Sequence, residues 1–552
     1  MMVILSVLLS FSSVQTKLAN VVTNWVNSKY NTSIEIDKVD LSSLKTIELN
    51  NILIKDHHLD TLISAGVFKT SILNYKNIID NNLKFGDIKI KNGKFLMKTY
   101  TGENSNNLTK FAEKFENDNN SDRIFKLTSS SIHIENVDFI LIDENKKSTP
   151  IVFYKNISGF FDEFRVQGSN VSTLIHDLKT VENHNINIVD FDSNFSYSDT
   201  RMEFLDTELK TDKSKISADI VFKYNKGDLS NFTDKVLIDA SIKSADIVLP
   251  DLKKLYDEFG NNDQIHFTTH AIGTINDFVL NDVDLKSDRN SSFKGTVKLE
   301  NVLHSENFKM EADIKRVRSS YDHLISLFPK LLGGKIPVSL EKAGNFSSNG
   351  QVYLTRSSID ANLNTRSQIG NSKVDIQLTN FDHIETALYK GKIELIDFDL
   401  GKFVNDSLIG ELSMVGEIDG KGTTLENINT KVTGVISKHQ YKGYTYSNID
   451  INGVLQDKNF NGELIVNDPG IQLVFKGLAD FSNEKYIFDF NADVGFADFY
   501  KLNLFTRDER SILKGKIDIN LIGSNLDNIQ GDIKFENAVY INQNDIYSFK
   551  DF

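Results

Sequence analysis

A two-residue period of apolar side chains runs through most of this chain and restricts it to sheet. Ile216, Ala218, Ile220 and Phe222 alternate with Lys215, Ser217 and Asp219. Phe488, Phe490, Ala492 and Val494 alternate with Asp489, Asn491 and Asp493, and Ile517, Ile519 and Leu521 with Lys516, Asp518 and Asn520. Successive side chains of a strand point to opposite faces, so each run makes one dry face and one wet face. Proline, which cannot donate to a β ladder, occurs 5 times in 552 residues, at Pro150, Pro250, Pro329, Pro337 and Pro469. Its scarcity suits a chain that is nearly all sheet and argues against domains joined by Pro-rich linkers.

Asn92-Gly93, Asp419-Gly420, Asn452-Gly453 and Asn461-Gly462 read as tight hairpin turns, because such pairs accept positive φ. Strand–turn units then recur roughly every 10 to 15 residues. A degenerate phrase precedes several strands: Leu425-Glu426-Asn427-Ile428, Tyr446-Ser447-Asn448-Ile449 and Leu526-Asp527-Asn528-Ile529. Short helical stripes interrupt the pattern at Leu108, Phe111 and Phe115, at Leu252, Leu255, Tyr256 and Phe259, and at Tyr321, Leu324, Ile325 and Phe328. Each is expected to cover an edge or rim of the sheet. The Asn-rich stretch from Glu113 to Arg123 reads as a loop.

Residues 1–13 read as a truncated membrane anchor, with Val3, Ile4, Leu5, Leu8, Leu9 and Phe11 as its apolar side chains. The run is shorter than the roughly 20 apolar residues a spanning helix needs and has no basic residue before Lys17. An atypical secretion signal and a buried soluble helix are the alternatives. Residues 14–30 form an amphipathic helix in this reading, with Val14, Leu18, Val21, Val22, Trp25 and Val26 on one stripe. That stripe either lies at a membrane interface or caps the first strands.

The formal charge of −14 excludes the basic stripe of a nucleic-acid binder, and 40% hydrophobic residues suffice for a core. With no cysteine, a disulfide, a thiolate zinc site and a Cys nucleophile are ruled out. No nucleophile elbow, phosphate loop or dinucleotide fingerprint is present, so neither catalysis nor a cofactor is expected. His266 and His270 have the spacing of a helical zinc pair but lie in an alternating, strand-like segment. Asp56-His57-His58-Leu59-Asp60 is the densest polar cluster. It reads as a solvated turn in preference to a metal site.

Taken with the anchor-like start, the segments Val14-Gln15-Thr16-Lys17-Leu18-Ala19-Asn20, Ile34-Glu35-Ile36-Asp37-Lys38-Val39 and Leu49-Asn50-Asn51-Ile52-Leu53-Ile54-Lys55, with a strand ending at Asn74-Tyr75, form a combined pattern. It resembles the N-terminal part of the TamB (translocation and assembly module) family of Bacteroidetes type, within the AsmA-like group. The likeness is most specific over roughly the first 110 residues, and the rest matches in texture. It implies a single inner-membrane helix and a periplasmic body, residues 31–552, incomplete at its C-terminal end. The expected fold is mainly β: a long, curved antiparallel sheet forming an open repeating groove, with an N-terminal helix and a few short helices. About 30 strands at about 4.8 Å would give a groove on the order of 140 Å long.

The implied function is conduction of phospholipids between inner and outer membranes. The alternative is a scaffold for outer-membrane β-barrel assembly and secretion. The implied partners are phospholipids, the inner membrane and an outer-membrane barrel protein of the BamA/TamA type, with no nucleic acid. Ile220, Phe222, Phe488, Phe490, Val494, Ile517, Ile519 and Leu521 are the candidate groove-lining residues. The competing reading makes them a core packed against another layer.

Overall fold

The computed structural model describes residues 12–41, 46–71, 73, 82–115, 125–145, 152–257, 259–261, 263–332, 338–381, 386–422, 427–505, 507–524 and 528–550. The anchor residues Val3, Ile4, Leu5, Leu8, Leu9 and Phe11 lie outside this set, as do Asn74 and Tyr75. Strand accounts for 66% of the chain and helix for 12%, so the fold class is mainly β, as the alternation requires. The described residues form 30 strands. The chain divides into two units, Met1–Asp257 with Gln264–Ile275, and Glu258–Asp263 with Asn276–Phe552.

The first unit opens with helix α1 (Ser12–Tyr30) and strands β1 (Ser33–Leu41), β2 (Thr46–Lys55) and β3 (Thr61–Ser71) in antiparallel succession. β3 pairs next with β5 (Ile88–Thr99). Both β5 and the short β4 (Asn82–Phe85) run parallel to β6 (Lys126–Asp143), which departs from the all-antiparallel expectation. A parallel neighbour requires a crossover of a dozen or more residues, and the connection holding helix α2 (Asn107–Glu113) supplies it. From β6 to strand Gln264–Gly273 each strand pairs antiparallel with the next. The second unit continues in the same manner from Phe278–Ser287 to Asp545–Phe549. In it, Asn429–Tyr441 pairs with both Tyr444–Tyr446 and Ile449–Gln456.

The four dipeptides read as turns all lie inside strands: Asn92-Gly93 in β5, Asp419-Gly420 in Ile409–Lys421, Asn452-Gly453 in Ile449–Gln456 and Asn461-Gly462 in Asn459–Asp468. Asn92 does take positive φ (52°), but within a strand. The tight turns use other residues. Lys442-Gly443 (φ 47° and 78°) and Asp457-Lys458 (φ 40° and 59°) have the paired positive φ of a type I′ hairpin. Elsewhere single Asn or Asp residues with positive φ, such as Asp206, Asp282 and Asp397, sit where the register slips by a bulge. Asn and Asp tolerate that conformation better than other side-chain-bearing residues.

Helix α1 (Ser12–Tyr30) includes two residues ahead of the expected start and turns its polar face, not its apolar stripe, to strand β1. Gln15, 4% exposed, accepts from Leu41 N through Oε1 (2.7 Å), and its Nε2 donates to Leu41 O. Thr16 Oγ1 accepts from Val39 N at 3.1 Å, while Asn27 accepts from Ile34 N and donates to Ile34 O, both at 2.9 Å. Polar side chains therefore satisfy the backbone along the edge of β1, which would otherwise be a template for another strand. Leu18, Val21, Val22 and Trp25 are left 51–67% exposed. The helix does cap the first strand, but through its polar groups and not through Leu18, Val21, Val22 and Trp25, while Val14 and Val26 of the stripe are half-buried. Among the described residues no helix is long and apolar enough to cross a membrane.

The expected helical stripes begin in α2, Leu249–Leu255 and Tyr321–Leu327, but Phe115, Tyr256, Phe259 and Phe328 lie beyond the ends of those helices; further short helices occupy Phe232–Lys235, Pro329–Leu332 and Leu400–Val404. Leu249 and Leu327 are buried, whereas Leu255 and Tyr256 are exposed. In the second unit buried residues gather on one sheet face. One cluster is Leu412, Met414 and Val432, and another is Ala492, Val494, Ala497 and Ile517.

Candidate functional site

Directly opposed residues on neighbouring strands share a face, so the register can be followed across the second unit. One row runs Leu280, Val297, Ala312, Val352, Ala361, Ile376, Gly391 and Ile418. It continues through Val432, Gly453, Gly462, Gly477, Phe490, Ile519 and Ile533. The parallel row two residues away passes from Val283 and Gly295 through Ile393, Gly416, Gly434, Ile451, Leu464 and Phe475 to Ala492, Ile517 and Phe535. Neither row contains a polar or ionisable side chain among the residues named.

The intervening row faces the other way and is wholly polar. It includes Asp313, Gln351, Asn362, Asp375, Lys392, Glu417, Thr433, Asn452, Glu463, Lys476, Asn491, Asp518 and Lys534. Cross-strand ion pairs decorate this face in both units, for example Lys438 with Asp397 and Glu411, and Lys243 with Asp219 and Asp206. His270 and Lys223 hold the Asp239 carboxyl below its ordinary value, and Lys243 does the same for Asp219. Such exposed pairs, screened by water and salt, add little to stability. They mark a solvated face.

Glycines recur along the apolar rows because neighbouring backbones come too close for a side chain. A Cβ on Gly391 would sit 2.1 Å from Asp375 O, and one on Gly477 2.3 Å from Asp489 O. Gly477 also has φ 142°, open to glycine alone at no steric cost. Such positions let a strand bend sharply, a device that curves a sheet.

All eight sequence candidates fall on apolar faces. Phe488, Phe490, Val494, Ile517, Ile519 and Leu521 come together in the second unit, where Phe488 opposes Leu521 and Phe490 opposes Ile519. Phe475 and Phe490 pack with ring centroids 4.8 Å apart. Ile220 and Phe222 belong to the first unit, opposite Phe204 and Met202 on one side and Ala240 and Ile238 on the other. Val494 and Ile517 are buried among their neighbours, and Phe490 and Ile519 are half-buried beside them. Sequence reading missed the rest of each row. The alternation was present in those strands, but their register was not.

The polar cluster at residues 56–60 is a braced turn. Asp56, 2% exposed, accepts from His58 N and Asp60 N through Oδ1, and from Tyr100 OH and Asn107 Nδ2 through Oδ2. Burial opposes its charge, but these hydrogen bonds outweigh burial and leave its pKa below the ordinary value. The turn carries His57 and His58 toward Glu103, with His57 Nε2 at 2.9 Å and His58 Nε2 at 3.1 Å from Glu103 Oε1. Lys110 Nζ reaches the same oxygen at 2.9 Å. His266 and His270 instead lie on the exposed face of strand Gln264–Gly273, paired with Asp246 and Asp239.

Comparison with protein-family models, curated proteins and solved structures found no match to the chain. The fold and the two-faced sheet therefore carry the functional argument.

Proposed function

We propose that this protein carries the acyl chains of phospholipids along the apolar face of its sheet, between an inner and an outer membrane. One observation supports this above all: two adjacent register rows cross the second unit without a polar side chain, while the row between them is wholly polar on the other face. An apolar surface of that continuity calls for an apolar partner, and acyl chains require no directional contact. The exposed stripe of α1 (Leu18, Val21, Val22 and Trp25) supports peripheral contact with a membrane interface, with Lys17 and Lys29 beside it. A TamB-like, periplasmic setting and a non-enzymatic role belong to this proposal.

Photo-crosslinkers at Phe490 and Ile519 test it in cells. Capture of phospholipid at those positions, and not at Asp489 or Asn491, is the expected result. Capture of protein alone at Phe490 and Ile519 would refute it. A scaffold that recruits client strands needs a free sheet edge. The edge of β1 is already occupied by Gln15, Thr16 and Asn27, so this edge is not free for a client strand.

A further inference from the structure

We infer that His57, His58 and Glu103 form a binding site for a divalent metal ion of the zinc type, joining the β2–β3 turn to the segment that follows β5. Their ligand atoms all lie within 4.8 Å of one another. Two imidazole nitrogens with one carboxylate are a donor set suited to Zn2+, leaving a fourth position for water. With metal–ligand distances of about 2.0–2.2 Å, tetrahedral donors stand roughly 3.3 Å apart. The present separations of 2.9 and 3.1 Å need to open by only a few tenths of an ångström.

The Glu103 carboxylate is the focus of the cluster: His57 Nε2 lies between its two oxygens, 2.9 Å from Oε1 and 3.0 Å from Oε2, and His58 Nε2 and Lys110 Nζ both reach Oε1. A cation at the centre would turn both imidazoles from competing donors into lone-pair ligands and release Lys110 toward solvent. The ligands are also held in advance. The Asp56 carboxylate fixes the turn, with Leu59 at φ 68°. The Tyr100 ring stacks on His58 at 3.9 Å and meets His57 edge-on at 5.5 Å. Glu103 N donates to Tyr100 O, and Asn145 Nδ2 donates to Glu103 O at 2.9 Å. Two separately braced segments thus present their three ligands to one point.

The test uses the whole chain after chelator treatment, titrated with Zn2+ by calorimetry and with Co2+ by visible absorption. One equivalent of Zn2+ and the d–d bands of a four-coordinate Co2+ site are expected. Groups that merely orient a metal ligand are worth about 10–100-fold in affinity, so His58→Ala and Glu103→Gln should each weaken binding by at least about 100-fold. His58 is half-exposed, so this variant should keep its far-UV circular dichroism even if His57→Ala does not fold. Lys110→Met, lacking the competing ammonium, should bind more tightly. Absence of Zn2+ binding by the parent chain, or unchanged binding by His58→Ala, would overturn the assignment.

Discussion

Gly453 and Gly462 oppose each other on neighbouring strands, and a Cβ added to Gly462 would lie 2.4 Å from the Cα of Gly453. Neither glycine has positive φ, so their requirement is steric. Gly462→Ala should destabilise the second unit by about 1–3 kcal/mol through overpacking. A lowered midpoint of urea unfolding measures this, with Asn461→Ser on the same strand as the near-neutral comparison.

Phe490→Asp places a carboxylate between Gly477 and Ile519, in a row whose named residues include no cation to pair it. The lost apolar contact is worth about 1.5–3 kcal/mol, roughly tenfold or more in acyl-chain occupancy. Phospholipid co-purifying with the variant should fall accordingly, whereas Asn491→Asp on the polar face should leave it unchanged. Equal lipid in both variants contradicts the proposed function.

The two faces of α1 should separate by mutation. Asn27→Ala removes both hydrogen bonds to Ile34 and should cost about 1–3 kcal/mol, seen as faster amide exchange in β1. Trp25→Ala should leave that exchange unaltered, because Trp25 is 58% exposed. It should instead reduce flotation with vesicles of anionic phospholipid.

Asp468 predicts an acid-sensitive element in the second unit. It is 3% exposed and accepts hydrogen bonds from Tyr444 OH, Ser447 N, Ser447 Oγ and Gly470 N. Burial raises its pKa, but those donors outweigh burial and bring it below the ordinary 3.8. A depressed folded-state pKa gives stability that is fully present above the unfolded value and is lost as pH falls below it. Unfolding curves at pH 7 and pH 3 should therefore differ less for Asp468→Asn than for the parent chain.

The strands were legible because a half-buried sheet writes its two faces directly into the sequence, as Phe488 to Val494 does. Their pairing was not, since register depends on turns and bulges that slip it one residue at a time. Asn452-Gly453 and Asn461-Gly462 misled for a related reason. The same dipeptide that favours a turn also suits a strand whose neighbour stands too close for a side chain. The stripe on α1 was legible as a stripe, but its orientation was fixed by the needs of the β1 backbone. The crossover to parallel β6 had no local signature, because strand direction is set by the length of the connection. The histidine turn was visible as a cluster, while its third member, Glu103, is remote in sequence and meets it only through the β3–β5 pairing.

The uniformity of the apolar rows bears on kinetics. On the proposed function, a hydrocarbon tail resting on them would meet another apolar row position one strand further on, about 4.8 Å away. No residue named in the two rows would then offer a tail a polar anchor that has to be broken. Friction, more than affinity, would set how fast a tail drifts, and a gradient of lipid between the two ends would be enough to give the drift a direction.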